Sequence, residues 1–172
     1  IDQDNKIICL DAKDGSMIWN VLSISSFIKS RNLLSVALSM DGDLIAVNSS
    51  GDLFNINSLD GNINWATNTS GSLYAGASDF FKSSDLVLTD EEIIFSTGKS
   101  IFSYNINDAH INWQNNVSSV GAPIIADNNI FIVTENGYFL IIKKDTGKII
   151  SSSNVLRILK RKKQETKITG FI

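Results

Sequence analysis

The composition of this chain of 172 residues excludes two classes of protein. Hydrophobic residues make up 43% of the sequence and charged residues 19%, so the chain can form a core and is not intrinsically disordered. No apolar run approaches the roughly 18 residues that a membrane-spanning helix requires. A single cysteine, Cys9, excludes an internal disulfide, and we expect it to be inert packing.

Short apolar runs, bounded by turn residues, follow one another along the whole chain and predict β-strands. In chain order the predicted strands are 6–11 and 16–22, then 34–38, 44–47 and 53–56, then 86–88, 93–95 and 101–104, then 122–126, 130–133 and 138–142. Each of the later groups continues into one more strand, which gives four antiparallel strands per repeat. Four such strands are the make-up of a propeller blade.

The predicted blades belong to a single domain, 1–172. They comprise a part-blade at 1–22, three fuller blades at about 33–66, 84–115 and 121–154, and the start of another blade at 166–172. The chain begins at Ile1 without a signal-peptide pattern, so we expect a processed form or part of a longer protein.

One short phrase recurs at the same place in every repeat. Its four copies are Asp14-Gly15-Ser16-Met17-Ile18-Trp19, Asp60-Gly61-Asn62-Ile63-Asn64-Trp65, Asp108-Ala109-His110-Ile111-Asn112-Trp113 and Thr146-Gly147-Lys148-Ile149-Ile150-Ser151. The glycine positions are 46, 48 and 38 residues apart, a range typical of arrays of supersecondary units. Asp-Gly predicts a tight hairpin, because glycine accepts the positive φ that such a turn requires.

Several strands are apolar in both alternation phases, as in Ile130–Val133, which indicates sheets buried on both faces. Hairpins of this kind fit sheets stacked around an axis. We therefore expect the tryptophans at the ends of the outermost strands to pack between neighbouring blades. The predicted structural residues of the repeat are Gly15, Trp19, Gly61, Trp65, Trp113 and Gly147. Ser151, in the fourth tryptophan slot, predicts one weaker junction.

The phrase and its preceding strand resemble the repeat of the PQQ-type (quinoprotein) β-propellers. Leu10 to Trp19 is similar to the family pattern, which is roughly Leu-x-Ala-x-Asp-x-x-Thr-Gly-Lys-x-x-Trp, and Lys144 to Ile150 matches the turn of that pattern closely without the tryptophan. The resemblance covers nearly the whole chain and recurs four times in register. It implies an all-β fold, a partial PQQ-like propeller with about three full blades and part-blades at both ends of an eight-bladed ring.

The resemblance implies two kinds of function. Quinoprotein dehydrogenases hold PQQ and Ca²⁺ on the propeller axis, often with a disulfide of adjacent cysteines that Cys9 cannot form alone. The second kind is the propeller lipoprotein of the outer-membrane β-barrel assembly machinery, a non-catalytic periplasmic scaffold. The degenerate, Asn- and Ser-rich blades resemble this second kind more. We expect a protein-binding scaffold without cofactor or metal, associated with the outer membrane through an anchor outside this chain. The alternatives are an enzyme fragment and a sensor or carbohydrate-associated propeller domain.

Apart from the family resemblance, the sequence offers few residues for catalysis or metal binding. One histidine, His110, and one cysteine cannot form a catalytic triad or a His/Cys metal site, and His110 fits a solvated turn. Asp41-Gly42-Asp43 and Asp90-Glu91-Glu92 lack the spacing of a calcium loop, and we interpret both as hairpin turns that need no ligand.

Charge is unevenly distributed along the chain. Residues 157–172 carry a charge of +5, whereas the remainder carries −8. The predicted basic patch consists of Arg157, Lys160, Arg161, Lys162 and Lys163. It fits a solvated loop or a dock for an acidic protein surface or anionic lipid headgroups. Nucleic acid is not expected as a partner, because no aromatic residue is interleaved with the basic run.

Overall fold

The computed structural model describes residues 6–22, 35–48, 51–69, 84–157 and 168. The chain forms two compact units, Ile1–Ser83 (unit 1) and Ser84–Ile172 (unit 2). The predicted strand start at 166–172 lies outside the described residues except for residue 168. No helix in the described part of the chain is long and apolar enough to cross a membrane.

Unit 1 contains a two-stranded hairpin and a four-stranded sheet among its described residues. The hairpin strands are β1 (Ile7–Leu10) and β2 (Met17–Val21), and the sheet strands are β3 (Val36–Leu38), β4 (Leu44–Val47), β5 (Asp52–Ile56) and β6 (Ile63–Asn68). All pairings are antiparallel and join strands that are consecutive in the sequence.

Unit 2 contains two four-stranded sheets of the same kind. Their strands are β7 (Val87–Leu88), β8 (Glu92–Ser96), β9 (Ile101–Asn105) and β10 (Ile111–Asn115), then β11 (Ile124–Ala126), β12 (Asn129–Val133), β13 (Tyr138–Lys143) and β14 (Ile149–Asn154). A single turn of 3₁₀-helix, Val155–Arg157, follows β14. The predicted all-β fold of four-stranded antiparallel blades is confirmed.

The cores lie in the middle strands of each sheet. β8 is buried along its whole length, and β4, β5 and β9 are buried except at one end. The outermost strand β14 is exposed over most of its residues. The middle strands thus have both faces covered, which explains why they are apolar in both alternation phases.

The recurrent turns adopt the predicted conformation. Gly15, Gly61 and Gly147 have φ values of +74°, +76° and +66°, and a shift of strand register follows each of these turns. In the first turn the Asp14 carboxylate accepts a hydrogen bond from the backbone N–H of Ser16 at 2.9 Å, and this bond lowers the pKa of Asp14 below its ordinary value. All three turns use glycine for their backbone conformation, and those at Gly15 and Gly61 are also closed by the preceding aspartate.

Ala109 occupies the glycine position of the third turn at a φ of +59°. A left-handed conformation costs a residue with a Cβ roughly 1–2 kcal/mol, a cost that glycine avoids. Glycine in turn loses about 0.5–1 kcal/mol more conformational entropy on folding than alanine does. Ala109→Gly is therefore expected to raise the free energy of unfolding by about 0.5–1 kcal/mol, measured by urea denaturation. Ala12→Gly, at an exposed turn position without positive φ, is the control and should destabilise. Equal effects of the two changes would contradict the prediction.

Candidate functional site

An open cleft in unit 2 lies between the sheet β7–β10 and the turn that joins β13 to β14. Its volume is about 470 Å³, and its lining residues are Glu91, Glu92, Asn105, His110, Ile111, Asn112, Lys144 and Asp145. Seven of these eight side chains are polar or charged, so the cleft can hold a polar group by hydrogen bonds and charge. The lining includes no Ser, Thr or Cys, and it therefore offers no hydroxyl or thiol nucleophile.

The floor of the cleft is a buried carboxylate. Glu92 is only 8% exposed. Its Oε2 atom lies 2.6 Å from Nζ of Lys144, and its Oε1 atom accepts a hydrogen bond from the Ser103 hydroxyl at 3.0 Å. The Asn112 amide donates in turn to that hydroxyl at 3.0 Å. A buried charge needs such partners, and because both oxygens of Glu92 are engaged, the carboxylate fastens one sheet to the next.

Unit 1 repeats this arrangement in simpler form. Asn64 donates hydrogen bonds to Asp43 at 3.0 Å and to Asn55 at 2.9 Å. Strand register makes the two sets equivalent: Asn55 pairs with Ile45 and Trp65, as Ser103 pairs with Ile94 and Trp113. The sequence indicates the acidic residues Asp43 and Glu92 only as hairpin turns. Asp43 accepts directly from the Asn64 amide that precedes Trp65, whereas Glu92 is linked to the Asn112 amide through the Ser103 hydroxyl.

The other two repeats carry no such polar set. In the first repeat, Cys9 stands opposite Trp19, and the residue before Trp19 is Ile18. In the last repeat, Ile141 stands opposite Ser151, and the residue before Ser151 is Ile150. The sequence signal for the two polar sets is an acidic residue at the start of the second strand of a repeat, together with an asparagine directly before the tryptophan of that repeat.

The ion pair between Glu92 and Lys144 should stabilise unit 2. Lys144→Met is expected to lower the free energy of unfolding by about 1–3 kcal/mol, since it leaves the buried Glu92 carboxylate without its cation. The side chain of Lys144 is 25% exposed, which places the expected loss below that for a fully buried pair. Chemical denaturation of Lys144→Met, Glu92→Gln and the double variant measures the coupling. Strictly additive losses would show that the pair contributes nothing.

Two tryptophans lie against glycines of the neighbouring repeat. A Cβ on Gly61 would come within 2.8 Å of the Trp19 ring, and the Trp19 indole N–H donates to the Ser58 carbonyl at 2.9 Å. In unit 2 the Trp113 ring lies on Gly147, and its indole N–H donates to the Lys144 carbonyl at 2.6 Å. Each ring thus joins a strand to the turn of the following sheet, and Lys144 belongs both to this contact and to the cleft.

The remaining predicted structural residues differ in their surroundings. Trp65 is half-buried at the corresponding position of β6. Among the described residues, its chain neighbours aside, Gly15 has no atom within 4 Å of where a Cβ would stand, so there its turn requires glycine only for its backbone conformation.

The residues of the predicted basic patch lie mostly outside the described part of the chain. Arg157 is exposed at the end of the 3₁₀ turn, where its backbone N–H donates to the Asn154 side chain at 3.1 Å. Lys160, Arg161, Lys162 and Lys163 are outside the described residues, so the patch stays a prediction.

The described residues bring together no catalytic or metal-binding set. No group of three His, Cys, Asp or Glu side chains that could hold a metal ion occurs among them. Cys9 is a half-buried free thiol in unit 1. His110, in unit 2, is exposed, and its backbone N–H donates to Asp108 at 2.9 Å.

Comparison with protein families gives a match over most of the chain. The family model described as outer membrane protein assembly factor BamB matches residues 1–153. No curated protein matches the sequence at a significant level.

Solved structures with the same fold include three different proteins. BamB from Moraxella catarrhalis has a TM-score of 0.63 at 19% identity, over 88% of this chain and 44% of that one. The computationally designed Ika8 protein has a TM-score of 0.60 at 11% identity, also over 88% of this chain and 44% of that one. Quinohemoprotein alcohol dehydrogenase from Comamonas testosteroni has a TM-score of 0.56 at 15% identity, over 69% of this chain and 20% of that one.

These similarities establish the fold and its extent. At such identities they show the architecture alone, a PQQ-like β-propeller. The chain spans less than half the length of each of these proteins, so the fold seen here is part of a propeller.

Proposed function

This chain belongs to the outer membrane protein assembly factor BamB family, and we propose that it is a non-catalytic scaffold that binds proteins of the outer-membrane β-barrel assembly machinery. Its place of action is then the periplasm, at the outer membrane. Its partners are proteins, and neither a cofactor nor nucleic acid takes part.

The observation that carries this proposal is the extent of the family match. Residues 1–153 include every described strand except the last residue of β14, so the match extends over the whole array of repeats. A single PQQ-type repeat would not distinguish scaffold from enzyme, because one fold hosts both. A family match across four successive repeats is more specific than the fold.

The polar groups of the cleft support the same proposal. A catalytic carboxylate needs an oxygen or a proton available to substrate, whereas both oxygens of Glu92 are held by Lys144 and Ser103. The corresponding acid in unit 1, Asp43, is bound by Asn64. These groups hold strands and turns in place, as a rigid binding scaffold requires.

Co-purification tests the scaffold role directly. The tagged full-length protein, expressed in its source cells and extracted from the envelope in mild detergent, is expected to co-purify with the β-barrel assembly complex. An unrelated tagged periplasmic protein is the control. Recovery of the protein alone, from an extract in which the complex is intact, would overturn the proposal.

A fragment of a quinoprotein dehydrogenase is the second candidate, favoured by the similarity to the Comamonas enzyme. Titration of the protein with PQQ and Ca²⁺ distinguishes it from a scaffold. We expect no change in quinone absorbance and no dye reduction with alcohol substrates. Stoichiometric PQQ binding would favour the enzyme instead.

A further inference from the structure

Two large apolar side chains are presented to solvent at one end of the four-stranded sheet of unit 1. Met40, in the turn between β3 and β4, is 86% exposed, and Leu59, in the turn between β5 and β6, is 84% exposed. These are the two highest exposures among the large hydrophobic residues in the described ranges. Exposure of such large apolar side chains to water is unfavourable in free energy.

The two turns are neighbours. β4 begins at Leu44, which pairs with Ile56 at the end of β5, so both turns project from the same end of adjacent strands. The hydrogen bond from Asn64, on β6, to Asp43, in the first turn, joins them at 3.0 Å. Met40, Leu59 and the aspartates of these turns, Asp41, Asp43 and Asp60, are called the Met40–Leu59 surface below.

Both turns have a fixed shape. In the first, Ser39 accepts hydrogen bonds from the backbone N–H groups of Gly42 and Asp43, each at 3.0 Å. In the second, the Leu59 N–H donates to the Asn57 side chain at 2.9 Å, and the Trp19 indole holds the Ser58 carbonyl. The apolar side chains therefore stand on ordered backbone, which lowers the entropic cost of binding.

The turn itself does not require an apolar residue where Leu59 stands. Counted from the glycine position, the matching residues of the other repeats are Lys13, Asn107 and Asp145, all polar. Exposed apolar surface rimmed by polar residues marks protein interaction sites, and these two side chains stand on adjacent turns that also carry aspartates.

The charge around the Met40–Leu59 surface indicates the kind of molecule that would bind there. At this end of unit 1 the described turns carry five aspartates, Asp11, Asp14, Asp41, Asp43 and Asp60, against one lysine, Lys13. We propose that the Met40–Leu59 surface docks a partner-protein segment that places Lys or Arg beside an apolar side chain. The apolar pair supplies the anchor, and the aspartates select the basic residue and speed its approach. Anionic lipid and nucleic acid are disfavoured by the same negative charge.

This inference deepens the proposed scaffold role and rests on it only in taking the partner to be a protein. Its test is independent of the assembly machinery. The probe is a short fluorescein-labelled peptide of alternating leucine and lysine, titrated against the 172-residue chain and followed by fluorescence anisotropy. Matched peptides replace lysine by glutamate or leucine by glycine.

The decisive variant is the double change Met40→Gln and Leu59→Asn, which keeps side-chain size and introduces at position 59 the residue type found at position 107. It is expected to weaken binding of the leucine–lysine peptide at least tenfold. Asp41→Asn with Asp60→Asn should weaken it several-fold and reduce its dependence on salt. Ile150→Thr, which removes a 54% exposed apolar side chain in unit 2, is the matched control and should bind as the unchanged protein does.

Circular dichroism and thermal unfolding of each variant show whether it is folded. Equal binding by the folded Met40/Leu59 variant would overturn the proposal. So would equal binding of the leucine–glutamate peptide, or tighter binding to phosphatidylglycerol vesicles than to the peptide. Failure of co-purification with the assembly complex, beside intact peptide binding, would instead count against the proposed function alone.

Discussion

Replacing Trp113 with alanine is expected to lower the free energy of unfolding by about 3–5 kcal/mol, the range for truncation of large buried aromatic side chains. The ring is 8% exposed and packs in a cluster that includes Ile94, Ile101 and Ile130. Truncation opens a cavity there and deprives the Lys144 carbonyl of its indole donor. Urea denaturation followed by far-ultraviolet circular dichroism measures the loss.

Gln114→Ala is the control for this change. Gln114 lies on the same strand but is exposed, and its amide donates only to the Ser100 hydroxyl at 3.2 Å. Its loss is expected to cost less than about 1 kcal/mol. If Trp113→Ala cost no more than this control, the ring would not be holding the two sheets of unit 2 together.

Gly147→Ala is expected to cost about 1.5–4 kcal/mol, for two separable reasons. A φ of +66° penalises a Cβ by roughly 1–2 kcal/mol, and after the entropy that alanine saves in the unfolded chain a net cost of about 0.5–1 kcal/mol remains, as at position 109. The added methyl group would also overlap the Trp113 ring, and overpacking of this kind adds about 1–3 kcal/mol.

Gly15→Ala separates the two costs. Its φ of +74° is similar, but apart from its chain neighbours no atom of the described residues lies within 4 Å of the added Cβ. Only the net backbone cost of about 0.5–1 kcal/mol is therefore expected. Combining Gly147→Ala with Trp113→Ala should cost less than the sum of the single changes, because the alanine then enters the vacated space. Equal losses for Gly15→Ala and Gly147→Ala would show that the ring does not constrain the turn.

Gly15 and Gly147 show which structural features the local sequence predicts and which it does not. Asp-Gly before a β-favouring run predicts a positive-φ turn, since that conformation depends on adjacent residues alone. The Asp-Gly turn at Gly15 is predictable for this reason, and the turn at Gly147, where Thr146 stands in place of the aspartate, is predictable from its glycine. That a ring covers one of them and not the other depends on a tryptophan 34 positions away in the chain, which no local pattern records.

The exposure of residues at matching positions of two repeats also cannot be predicted from the local sequence. Leu10 and Ile56 occupy matching positions, each opposite the residue two after the glycine of its turn. Leu10 is 55% exposed, whereas Ile56 is fully buried. Both residues are apolar and both follow the strand pattern, but in the described residues Leu10 lies in a two-stranded hairpin and Ile56 in a four-stranded sheet.

The candidate cleft could not have been predicted from local sequence. Glu92 and Lys144 are 52 residues apart, and each belongs to a turn that looks ordinary by itself. Their contact exists because the sheets β7–β10 and β11–β14 stack within unit 2. The Met40–Leu59 surface likewise requires two turns to be brought side by side by strand pairing.

The sequence by itself determined the all-β class, the four-strand repeat, the order of the strands and the glycine turns. These follow from short apolar runs bounded by turn residues and from φ preferences, which act over a few residues. Only the tertiary structure decided which glycines the Trp19 and Trp113 rings cover, which acid is paired, and which apolar residues stay in water. Those outcomes depend on contacts between segments far apart in the chain, and their strength comes from burial that no single segment can provide.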